Sequence, residues 1–107
     1  MPANTDSRRN QLIASLPDAE WVRWQPHLEL VDLPLGKVLY ESGAVQRHVY
    51  FPTQGFISLV TPVDGSPGVE VGMVGREGML GAQLALGVSA IPLHALVQGA
   101  GTARRVA

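Results

Sequence analysis

Three histidines, His27, His48 and His94, are the side chains best able to bind a metal or move a proton near neutral pH in this 107-residue chain. They lie 21 and 46 residues apart, without the close pairing that sets two imidazoles on one strand and without a carboxylate pair beside them. No metal site is expected, and the histidines read as surface or hydrogen-bonded groups. Nucleophilic catalysis has no better footing. There are no cysteines and no Gly-x-Ser-x-Gly elbow, and Ser58 and Ser89 have no evident base or orienting acid. Glu29, Asp32 and Glu41 fall in or beside strand and turn stretches and read as solvated carboxylates. The glycine-rich run from Gly72 to Gly81, with Gly75, Arg76, Glu77 and Gly78 inside it, offers backbone N–H groups of the kind that hold phosphate. It lacks the Lys-Ser/Thr ending of a P-loop and opens no βαβ unit, so tight turns account for the glycines. An enzyme is not expected, and neither is a cofactor.

The elements that would position these residues follow from composition and periodicity. Apolar residues make up 46% of the chain and charged ones 16%, so nearly everything beyond the polar start has the means to fold into one domain. Met1–Arg9 lacks the apolar core of a signal peptide and is expected to be a flexible, cytoplasmic start to a domain covering residues 10–107. From Gly78 to Ala103 no Asp, Glu, Lys or Arg occurs, yet Gln83, Ser89, Pro92, His94 and Gln98 interrupt the run, which points to a buried segment and not a membrane span. A formal net charge of -1 supplies no basic field for nucleic acid.

Between Asn10 and Leu28, Leu12, Ile13 and Leu16 form one stripe and Trp21, Trp24 and Leu28 recur at helical steps. Two short helices are predicted, the second opening after Pro17 and stopped near Gln25 by Pro26, with the tryptophans as core anchors. Strands are predicted over Leu28–Leu33, Val38–Tyr40, His48–Phe51, Phe56–Thr61, Val69–Val74, His94–Gln98 and within Thr102–Val106, with Pro62–Gly68 as a hairpin loop. Val69, Val71 and Met73 alternate with Glu70 and Gly72, predicting one apolar and one wet face. The Phe56–Val60 run is more evenly apolar and central. Helices first and strands after argue for a mainly β or α+β sandwich or small barrel.

Several segments taken together resemble the N-terminal sensor domain of Crp/Fnr-type bacterial transcription regulators. They are Leu16-Pro17-Asp18-Ala19-Glu20-Trp21, Leu33-Pro34-Leu35-Gly36-Lys37-Val38-Leu39-Tyr40-Glu41-Ser42-Gly43, His48-Val49-Tyr50-Phe51-Pro52, Gly55-Phe56-Ile57-Ser58-Leu59 and Val74-Gly75-Arg76-Glu77-Gly78. The resemblance covers roughly residues 10 to 107 and implies a cyclic-nucleotide-binding-like jelly-roll β-barrel with short N-terminal helices. In full-length members a dimerisation helix and a winged helix-turn-helix follow the barrel; neither falls in the segment that resembles the family here.

The resemblance also places a phosphate cassette between Gly78 and Val97. Members that bind cyclic AMP carry a Gly-Glu pair, whose Glu holds the ribose, and an Arg followed by Ser or Thr that holds the phosphate. Here Gly81 fits the glycine, Ala82 replaces the Glu, and Leu93 and His94 stand where Arg and Ser/Thr are expected. Backbone amides of Gly81, Ala82 and Gln83 remain. Each lost charge-assisted hydrogen bond is worth about 1.5–3 kcal/mol, so the pocket is expected to be degenerate toward cyclic nucleotides. The expected protein is a non-catalytic sensor without its DNA-reading part, taking an unidentified small-molecule effector, prone to self-association and without direct DNA or membrane binding. The alternatives are a stand-alone ligand or protein-interaction module on the same barrel, and a cupin-like metalloenzyme.

Overall fold

The computed structural model describes residues 9–63, 66–88 and 90–106. Most of the polar start, Asp64 and Gly65 of the expected hairpin loop, and Ser89 lie outside them. Asn10 caps the first helix, α1 (Gln11–Ala14): its Oδ1 accepts from the N–H groups of Leu12 and Ile13 at 3.0 and 3.2 Å, satisfying amides that a helix start leaves unpaired. The same fully buried side chain donates through Nδ2 to the carbonyls of Pro52 and Gly78, both at 2.8 Å. One amide thus fastens the helix to two distant parts of the chain.

The second helix, α2 (Asp18–Trp24), follows Pro17 with Asp18 and Glu20 in its first turn, where acids complement the positive helix end. A 3-10 turn over Gln25–His27, with Pro26 inside it, ends the α-helical hydrogen bonding. Trp21 packs with Leu16 against Ile13, Leu28 and Phe51. Trp24 sits at the margin: it is 38% exposed and meets Phe51 edge-on at 6.1 Å, so only one of the two tryptophans is the core anchor predicted.

Five antiparallel strands follow: β1 (Glu29–Leu33), β2 (Val38–Tyr40), β3 (Val49–Val63), β4 (Ser66–Val74) and β5 (His94–Val106). Their order is β1-β5-β3-β4, with β2 also on β5. The sequence predicted more and shorter strands, because Gln54-Gly55 and the Gly99 to Gly101 stretch separate the apolar runs. They are bends inside two long strands. Gly55 adopts φ +84°, and a Cβ there would lie 2.2 Å from the Gly99 carbonyl oxygen, so only glycine lets the two backbones cross this closely. The β3/β5 register slips on both sides of Gln54 as the strands bend.

The bend turns one sheet into a roll. β1 and the first part of β3 flank the end of β5, while β2 and the second part of β3 flank its beginning. Leu33, Tyr40, Tyr50, Ile57, Leu80, Ala95, Val97 and Ala103 fill the interior. The helices cover the outer face of the first half through Phe51 and Leu28.

β4 departs from its prediction. It is the edge strand, and Val69, Val71 and Met73 are 54, 57 and 60% exposed. The register runs from Leu59 opposite Gly72 to Val60 opposite Glu70, which leaves Val71 as a bulge and breaks the simple alternation. Glu70 consequently comes to the same side as buried Ser58, whose Oγ donates to Glu70 Oε1 at 2.6 Å.

Candidate functional site

Leu80 fixes the start of the cassette segment by pairing with Tyr50 through two backbone hydrogen bonds, 2.9 Å and 2.8 Å. Gly81 then swings the chain into a 3-10 turn, Ala82–Leu86, by taking a left-handed conformation at φ +108°. A Cβ on Gly81 would meet Tyr40 Oη at 2.5 Å and the His48 carbonyl oxygen at 3.1 Å, so the position is closed to any other residue. The sequence match at Gly81 therefore has a physical cause. Ala82 is exposed and offers only a methyl group.

Tyr40 is the residue that sequence reasoning missed here. Its hydroxyl is buried under Gly81 and donates to the His48 carbonyl. Burial pushes its pKa up to about 12, with Tyr50 nearby adding to the effect and the Gln83 side chain pulling slightly the other way. Gln83 Nε2 is itself buried and makes no hydrogen bond of regular geometry. The sequence offered only its place at the end of the Val38–Tyr40 strand, which does not say which face Tyr40 takes.

The structure brings Gly81, Ala82 and Gln83 together and sets His94 apart. Leu93 precedes β5 and is half-buried; His94 opens β5 opposite Val60. His94 Nδ1 accepts the Ser42 N–H at 3.1 Å and lies 3.4 Å from Glu41 Oε2, which pins the ring to the turn after β2. It lines a 540 Å³ cleft with Glu41, Val60, Glu70 and Gln98, and with none of Gly81, Ala82, Gln83 or Leu93. None of Gly81, Ala82, Gln83, Leu93 and His94 is a lysine or arginine.

The glycine-rich run is also accounted for. Glu77 Oε1 accepts the Gly75 N–H at 3.1 Å, and the Gly78 N–H goes to the Gly75 carbonyl at 3.1 Å. The chain's own carboxylate occupies the place an anion would take, as turn chemistry predicts. Arg76 supports the turn through its carbonyl, which accepts the Gln11 N–H at 2.6 Å. Glu29 is solvated, as expected, and also pairs with Arg105 across β1 and β5 at 2.8 Å through Nε. That carboxylate raises the Arg105 pKa above its ordinary value.

No family model matches the chain, and no curated protein sequence matches it. Solved structures do. The N-terminal domain of a transcriptional regulator from Streptomyces coelicolor superposes with a TM-score of 0.76 at 19% identity, over 94% of this chain and 71% of that one. A cyclic nucleotide-binding-like protein from Brucella abortus gives 0.70 at 22% identity, over 90% and 82%. A regulatory subunit of a cAMP-independent protein kinase A from Trypanosoma brucei, in a mutant form bound to cAMP, gives 0.79 at 14% identity and 94% of this chain.

The fold is that of a cyclic nucleotide-binding domain. The chain spans 37% of the trypanosomal subunit, so it corresponds to a part of that protein. Among the described residues, no three His, Asp or Glu side chains gather closely enough to hold a metal ion, and no helix is long and apolar enough to cross a membrane.

Proposed function

We propose that this cyclic nucleotide-binding fold is a non-catalytic sensor domain of a Crp/Fnr-type regulator, acting in the cytoplasm, with a pocket that no longer holds a cyclic nucleotide. The observation that carries the reading is the turn at Gly81. Gly81 is locked under Tyr40 in a left-handed turn, while Ala82 and Leu93 stand where the resemblance implies groups that grip ribose and phosphate. No Lys or Arg occurs between Gly78 and Ala103, so an entering phosphate finds amide dipoles and no fixed cation. An effector suited to such a pocket is small and uncharged, or engages backbone amides alone.

Calorimetry with cyclic AMP tests this. Wild type is expected to bind no tighter than high micromolar, and Ala82→Glu combined with Leu93→Arg to gain about tenfold or more from the two restored contacts. Tight wild-type binding sinks the reading of a degenerate pocket. A double variant that folds and gains nothing would instead place the limit in the backbone around Gly81.

A further inference from the structure

We propose that the outer face of the second half of the roll is a docking trough for a basic amphipathic helix of a partner protein. Two clefts, of 540 and 360 Å³, share Val60, Glu70 and Gln98 and so form one continuous depression on that face. It lies on the side of the sheet opposite Ile57, Ala95 and Val97, which point into the core, and is therefore separate from Tyr40 and Gly81. This inference does not depend on the effector reading.

Apolar side chains from four strands line the trough, Val38 of β2, Leu96 of β5, Phe56 and Val60 of β3 and Met73 of β4, with Ser58, His94 and Gln98 among them. Val38 and Met73 are 41 and 60% exposed, so apolar surface on this face is open to a partner. Strand order puts β2 and β4 at opposite edges of this half, so Glu41, just after β2, and Glu70, on β4, rim the floor from opposite sides. No Lys or Arg lines either cleft.

Charge decides the occupant. Two carboxylates across an apolar floor repel an acidic or anionic ligand and complement a segment with apolar residues on one face and Lys or Arg on both flanks. Four strands at about 4.8 Å spacing make the floor about 14 Å across, which matches about ten residues of helix. Ser58 Oγ donates to Glu70 Oε1 at 2.6 Å, so this carboxylate is already held in place when a cation arrives.

The test uses the full chain, in the concentration range where sedimentation gives a constant mass, and two synthetic helices with the same leucine face, one flanked by Lys and one by Glu. In amide NMR spectra the Lys helix is expected to shift Val60, Glu70, Leu96 and Gln98, and the Glu helix to leave them in place. Glu41→Gln with Glu70→Gln keeps shape and the Ser58 acceptor, and should weaken the Lys helix about fivefold or more. Added salt should weaken wild-type binding in the same direction. Equal binding of both helices, shifts confined to other residues, salt-independent affinity, or movement of these same amides on protein dilution alone would each overturn the proposal, the last by making a second copy of the chain the occupant.

Discussion

The Tyr40 hydroxyl, closed in by Gly81 and bonded to the His48 carbonyl, carries a pKa raised from 10.0 to about 12. A folded-state pKa above the unfolded value favours the fold while the phenol stays protonated. That stability is complete below about pH 10 and is lost as pH climbs toward 12, on the order of 2 kcal/mol in all. Denaturant melts at stepped alkaline pH should show this loss in wild type. In Tyr40→Phe, which gives up the hydrogen bond at the outset for about 1–2 kcal/mol, the alkaline loss should shrink. Equal alkaline slopes in the two proteins would disprove the assignment. At this scale the sequence was legible where backbone geometry demands one residue type, as at Gly81, and illegible where a contact joins distant positions. His94 aligned with a ligand position by order along the chain, but the Ser42 N–H and the alternation of β5 turn it to the other face.

Asn10 shows the same divide among elements. A polar residue ahead of an apolar stripe is a helix-start signal, but nothing local announces its reach to Pro52 and Gly78. Asn10→Ala should cost about 2–4 kcal/mol in urea unfolding, the cap plus two buried carbonyls left without donors. A loss under about 0.5 kcal/mol would mean solvent replaces the amide. The strands were legible by alternation, whereas Gly55 made one strand look like two, since glycine marks a bend and a turn alike. For β4 the sequence revealed the strand but neither the bulge at Val71 that interrupts its alternation nor its environment. Its apolar residues are exposed, and no further strand pairs with its outer backbone edge among the described residues. An edge bearing Val69, Val71 and Met73 invites pairing with another copy. Sedimentation should detect self-association at high concentration, and Val71→Lys with Met73→Lys should suppress it; a monomer at every concentration in wild type counts against this edge.

For the whole molecule, charge and shape agree on how it meets nucleic acid. Eight Lys and Arg against nine Asp and Glu give no net attraction to phosphate, and the longest described helix, α2, has seven residues, too short to read a groove from a stable support. Gel shifts with this chain at physiological salt should reveal no sequence-specific complex, and a salt-resistant one would overturn that expectation. β5 is the hub of the roll, pairing with β1, β2 and β3, and β1 meets it from Glu29 opposite Arg105. On the ribosome this has a cost in time. β1, β2 and β3 are synthesised before β5, so β3 and β4 can pair early as a hairpin while the pairings of β1 and β2 wait until the chain through Val106 has emerged.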